Sequence, residues 1–298
     1  MTDMADAADI APAADATSAR TAASWLSVHV YAHSDLDRHI GQLAGFLRDT
    51  AVEVDASAWF FLRYWEGGPH LRLRALCRTP GQRDRAGKLL CTAARRWAGG
   101  NPEQHPLDEA EYAASSAWIR SREQTGRPAA PLLPSRTVRV EEFTGGWMPR
   151  APACTGQPRT LSFLSASSKV ALHLHLRHGW QTRTRHAVDT LRSLLAAPAP
   201  ADCPPLPAAF AEWAELLAGQ EAPDVRRRAR LARNSAWPEP DRAATTMARY
   251  CLAVPRTDGT ARALLHAWHT HCNRLGLNLL EEAAAALTAL ALMDKENG

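Results

Sequence analysis

Along this chain polar and apolar positions first alternate and then recur every three or four residues, and the change of period marks out the elements. Trp25 to Ala32 (WLSVHVYA) sets Leu26, Val28 and Val30 against Trp25, Ser27, His29 and Tyr31, the period of a strand with unlike faces. Ser34 followed by Asp37 is a capping-box-like start, and Leu36, Ile40, Leu43 and Leu47 then share one helical face, predicting a helix over about 35–49. Trp59 to Arg74 (WFFLRYWEGGPHLRLR) reads as two extended runs about a Gly-Gly-Pro turn. In that hairpin Trp59, Phe61, Arg63 and Trp65 share one face, and Phe60, Leu62 and Tyr64 share the other. Arg72 and Arg74 point one way and Leu71 and Leu73 the other, so the hairpin is expected to be covered on part of both faces.

Pro80-Gly81 reads as a break before a second helix over 86–97, ended by Gly99-Gly100. Residues 101–158 are rich in Pro and Gly, with short apolar pieces at 112–119 and 137–143. From about Ser165 the period is helical, predicting segments near 167–178, 186–196, 207–218, 224–234, 241–252, 258–275 and 279–293, with Pro-rich 197–207 as a loop between helices. The expected fold class is α+β: a mixed sheet with a β-hairpin in the N-terminal half, packed against a mostly helical C-terminal half. Residues 1–24, rich in Ala and Asp, are expected to be a disordered lead-in that is neither signal peptide nor membrane span. Residues 25–298 are expected to form a single domain.

Composition sharpens this picture only in places. A chain of 298 residues, 46% hydrophobic and 22% charged with a net charge of +4, is ordinary for a soluble protein and unlike a histone-like binder. Six cysteines without a CxxC pair or metal-type spacing predict reduced thiols in a cytoplasmic protein. Ten tryptophans, several beside arginines, suit either core packing or the binding of an extended ligand.

Two stretches carry chemistry. Arg72 and Arg74 make a paired cationic surface on a rigid element, able to grip carboxylates, phosphates or carbonyl oxygens. In 258–275 (DGTARALLHAWHTHCNRL), Leu264, Leu265, Trp268, Cys272 and Leu275 form an apolar stripe, with His266, His269 and Asn273 beside it. Without HExxH a metal role for these histidines has little support, even with Glu281-Glu282 on the next element; an acid/base role for His269 is more natural, and a purely structural one is the commonest. Val225 to Arg233 holds five arginines in nine residues: a solvated face by default, or a docking surface for an acidic peptide or a nucleic acid. His173 and His175 read as filler, and Cys154 and Ser162 have no base partner at motif spacing.

The motifs FFLRYWEGGPHLRLR and HTHCNRLG together resemble the C-terminal elimination domain of lantibiotic dehydratases and its stand-alone relatives in thiopeptide biosynthesis. That resemblance implies a cofactor-independent, metal-free enzyme acting on a leader-bearing precursor peptide, alongside other enzymes of the pathway and without membrane or nucleic acid. It implies catalytic roles for Arg72, Arg74 and His269; Tyr250, in the helix before the histidine segment, is a further candidate proton donor, and Arg63, Trp65, His70, His266, Asn273 and Arg274 are the candidate substrate-binding residues. Two departures stand out: Phe143 occupies the place of the family's arginine in E-R-Y-G-G, and Phe163-Leu164-Ser165-Ala166-Ser167 replaces its F-x-x-D-S pattern. They favour a pyridine synthase, which joins two dehydroalanines by a formal [4+2] aza-cycloaddition, over glutamate elimination from glutamylated Ser or Thr. A non-catalytic leader-binding scaffold is the third reading.

Overall fold

The computed structural model describes residues 24–34, 36–123, 129–143, 158–197, 206–234, 236–254 and 260–296. The expected lead-in, Cys154 and Cys203 lie outside these residues.

Strand β1 (Ser24–Tyr31) is followed by helix α1 (Leu36–Glu53), then the hairpin β2 (Ala58–Tyr64) and β3 (His70–Cys77). Helices α2 (Pro80–Gly100) and α3 (Glu109–Glu123) lead to the short β4 (Val138–Val140). The remainder is helical: α4 (Pro158–Arg177), α5 (Trp180–Leu195), α6 (Leu206–Ala218), α7 (Ala222–Arg233), α8 (Arg242–Leu252), α9 (Thr260–Leu275) and α10 (Leu279–Glu296). The sheet runs β2-β3-β1-β4. It was expected to be mixed, yet every described pair is antiparallel. The reason is topological: α1 returns the chain so that β1 and β2 run the same way, and the hairpin then inserts β3 between them.

Pro80-Gly81 begins a helix instead of breaking the chain. Thr79 caps it, its hydroxyl accepting from Gln82 N while the Gln82 side chain accepts from Thr79 N, and Pro80 fills the first turn where no N–H is needed. Such a cap contributes about 1 kcal/mol. Residues 112–119 fall inside α3, and 137–143 contain β4.

One face of the sheet carries Leu26, Val28, Val30, Phe61, Leu71, Leu73 and Ala75, all buried together with Ile40, Leu43 and Leu47 of α1 and Leu90 of α2 in the core. The other face carries the polar and aromatic side chains of the site. The free edge of β2 is closed by helices rather than by a strand. Phe61 N donates to Ser168 Oγ (3.2 Å) on α4, Arg63 N donates to Asn273 Oδ1 (2.9 Å), and Asn273 Nδ2 donates back to Arg63 O (3.1 Å). Asn273 thus presents a donor and an acceptor as a neighbouring strand would. No described helix is long and apolar enough to cross a membrane.

Candidate active site

The cross-strand register sets Leu62, Arg72, His29 and Arg139 in one row, and Phe60, Arg74 and Ser27 in the next. Both hairpin arginines therefore stand on the face away from the apolar core, as the alternation predicts. Behind them the turn is pinned. Gly67 N donates to Tyr112 Oη (2.8 Å), and at Gly68 (φ +104°) a Cβ would come within 2.9 Å of His33 Nε2, so only glycine fits there.

Arg72 is aimed by His70. His70 Nδ1 lies 2.8 Å from Gly68 O, so Nδ1 carries the proton, and Nε2 then accepts from Arg72 Nε at 3.1 Å. This needs a neutral imidazole. Burial first, opposed by the Gly68 carbonyl and reinforced by Arg72 and Arg74, holds His70 down to about 3. His29, stacked 5.0 Å from His70, is held to about 2 by burial, then by His70 and the three arginines around it. The two histidines are a neutral platform beneath the cations, not a proton relay. The Arg72 guanidinium lies 3.3 Å over the Tyr64 ring, whose hydroxyl donates to Glu66.

Arg74 is 5% exposed, and its Nε has no hydrogen-bond partner. Its charge rests on aromatic faces: the Phe143 centroid at 3.7 Å and the Phe60 centroid at 5.7 Å. Burial and then Arg72 push it down to about 9, still a cation at neutral pH. No carboxylate pairs with Arg72 or Arg74 among the described residues. Residue 143, singled out as the family's missing arginine, is thus the lid over Arg74; residues 144–146 of that motif lie outside the described residues.

The second centre is on α9. His269 Nδ1 lies 2.8 Å from Glu282 Oε2 and 3.0 Å from Oε1; Glu282 on α10 is 1% exposed, and Trp213 Nε1 donates to it at 2.9 Å. A carboxylate on Nδ1 orients the ring. Trp213 also meets His269 and His266 edge-on at 5.7 and 6.2 Å. Sequence reasoning missed Trp213 and gave Glu282 no partner. The signal was the Glu281-Glu282 pair following the histidine segment.

The other expected residues serve the frame. Arg63 donates to Leu277 O (3.1 Å) and pairs with Asp37 (3.0 Å). Asn273 is spent on β2. Arg274, fully buried, donates from Nε to Phe61 O (2.7 Å) and from NH1 to Ser167 Oγ (3.1 Å), so the altered F-x-x-D-S segment holds an arginine by a hydroxyl. Burial, then Arg74, pushes Arg274 down to about 9. His175 closes the end of α9, Nε2 lying 2.9 Å from Arg274 O. Trp65 follows β2 and stacks on Tyr64 at 6.2 Å. Tyr250 joins neither centre; it lines a groove of about 720 Å³ with Trp59, Ser162, Ser165 and Lys169. The structure therefore gathers Arg72, Arg74 and His70 at one place and His269 and His266 at another. Asn273 and Arg274, one turn beyond His269, tie the two through β2.

The arginine centre sits in a stretch whose sequence is recognisable, residues 25–144 matching the family described as lantibiotic biosynthesis dehydratase C-term, while the His269 centre lies beyond it. The match spans 120 of the chain's 298 residues. A likeness of fold to solved structures extends over nearly all of the chain. The chain is similar to the pyridine synthase TbtD from thiomuracin biosynthesis, with a TM-score of 0.62 at 18% identity over 91% of this chain and 98% of that one. TsrL gives a TM-score of 0.54 at 15% identity over 93% and 96%. The tRNA-dependent lantibiotic dehydratase MibB from Microbispora sp. 107891 gives 0.51 at 20% identity, over 96% of this chain and 29% of that one. No curated protein matches the chain.

Proposed function

We propose that this chain is a pyridine synthase of thiopeptide biosynthesis. It joins two dehydroalanines of a leader-bearing thiazolyl precursor peptide in a formal [4+2] aza-cycloaddition and expels water and the leader. The observation that carries this reading is Phe143 over Arg74. A phenyl ring stands where the resemblance places a further arginine, so the cationic grip expected for a departing glutamate is reduced and capped by an apolar lid. The similarity to TbtD along nearly the whole of both chains supports it at the level of fold.

In this reading Arg72 donates to the amide carbonyl oxygen of the azadiene-forming residue as the amide proton moves from nitrogen to oxygen and the imidic tautomer forms. The two alkenes then form two C–C bonds, a step that needs contact and alignment more than any reagent. The aromatic surfaces of Tyr64, Phe60 and Phe143 beside the arginines favour flat, apolar groups. A ring C–H proton, carried by His269 as Glu282 orients it, then passes to the hydroxyl, which leaves as water, and a second ring C–H proton passes to the leader's amide nitrogen as that amide departs and the ring becomes aromatic.

Glutamate elimination is the second reading, favoured by the absence of any carboxylate on Arg72 and Arg74 among the described residues. One experiment separates the two: the protein is incubated with a glutamylated peptide and, separately, with a bis-dehydroalanine thiazolyl peptide, both followed by mass spectrometry. Leader loss with a pyridine chromophore from the second peptide is expected. Glutamate loss from the first instead would overturn the proposal.

A further inference from the structure

The carboxylate of Glu282 is 1% exposed, and a charge buried this deeply needs donors on its oxygens. Asp189, likewise buried, has them in Arg192 and Arg185 as well as in Trp237 Nε1. Glu282 has no such cation. Among the described residues its oxygens meet only Trp213 Nε1, 2.9 Å from Oε1, and His269 Nδ1, 2.8 Å from Oε2 and 3.0 Å from Oε1.

Helix α6 is placed to supply the first of these donors. Phe210 and Trp213 stand three residues apart and share one side of it. Phe210 meets Trp268 of α9 edge-on at 5.6 Å, both rings fully buried, and Trp268 Nε1 donates in turn to Ala187 O at 3.1 Å. That dry contact fixes α6 against α9 and carries Trp213 to the carboxylate. There the indole also stands edge-on to His269 and His266. The same side chain therefore bonds the carboxylate and bounds the imidazole that the carboxylate orients.

A donor on a carboxyl group favours its charged form over its neutral one. The indole N–H thus leaves the proton between Glu282 and His269 on Nδ1 of the imidazole. It also occupies Oε1 and turns Oε2 toward the ring. The last torsion of a glutamate is broad, so a carboxylate held by His269 alone is free to turn. We propose that Trp213 is a positioning residue: its indole N–H holds Glu282 as the ionised, fixed acceptor of His269 Nδ1–H, and so sets the tautomer and the angle of that imidazole. That this serves the reaction rests on the function proposed above; the tautomer does not.

The test uses the full chain, isotope-labelled, and long-range proton–nitrogen correlation spectra of its imidazoles, with His269 assigned by its loss in His269→Gln. The unaltered protein is expected to show His269 as the Nδ1–H tautomer. Two replacements remove the donor. Trp213→Phe also trims the ring, whereas benzothienylalanine at residue 213 keeps the two-ring shape and lacks only the N–H. Each is expected to mix the two tautomers of His269 and to lower kcat about ten-fold with KM nearly unchanged. The Nε2–H tautomer in the unaltered protein would overturn the proposal. So would an unmixed tautomer or full kcat in the benzothienylalanine protein, which would leave Trp213 a packing role alone. Turnover of a glutamylated peptide in place of the bis-dehydroalanine one would count against the proposed function alone, because the spectra read the tautomer without turnover.

Discussion

The arginine face of the sheet and the histidine of α9 handle charge in opposite ways. Arg72 and Arg74 keep permanent charges without carboxylates, resting on Tyr64, Phe60 and Phe143 and on imidazoles too buried to ionise. His269 is given a buried carboxylate partner on Nδ1. The first arrangement can hold developing negative charge but moves no proton; the second can move one. The difference teaches that histidines alone do not mark acid/base chemistry: His70 and His269 lie in equally recognisable motifs, and only their partners tell them apart.

That contrast can be broken by experiment. Arg72→Ala should cost the most, lowering kcat about 10²- to 10³-fold as for the loss of one preorganised donor, with the far-UV circular dichroism unchanged. Retained activity in this variant would leave the sheet face without a catalytic part. Glu282→Gln should lower kcat about 10- to 100-fold with KM nearly unchanged, since it disturbs the orienting partner of His269. A change confined to KM would place His269 in binding.

The platform makes its own prediction. His29, His70 and His175 are held to about 2, 3 and 4, chiefly by burial, so the unfolded chain binds their protons first as pH falls below about 6.5. Stability is full above that value and declines toward the folded values, by about 1.4 kcal/mol per pH unit for each imidazole. Urea titrations between about pH 7 and 5 should show that slope, reduced by one imidazole in His70→Gln. A flat profile would mean that the platform ionises. The smallest effect is expected from Phe143→Leu, about 1 kcal/mol of stability from the lost cation–π contact, read from the urea midpoint.

Much of this was legible in advance because strands have a period of two. The alternation in 71–74 placed both arginines on one face before any fold was known. Helical periods likewise foretold the second half. What failed was local or distant. Thr79-Pro80-Gly81 contains the residues of a turn, and only the reciprocal bonds with Gln82 show it to be a cap. Nor could the motif show that Asn273 and Arg274 bond the edge of β2 while the Arg63 side chain reaches Leu277 O and Asp37. Glu282 could not be paired with His269 from spacing, because the contact depends on how α10 turns back along α9.

The Asn273 clasp on β2 also bears on self-association. Growth of a sheet from chain to chain requires two unsatisfied edges on each copy, one to receive a neighbour and one to offer the next. Here one side is already occupied by an amide side chain and a buried guanidinium. Copies that meet through β4 can pair once, back to back, and then have no edge left to extend. Ribbon-like aggregation would first have to tear α9 from the sheet, at the cost of stranding Arg274 in the interior.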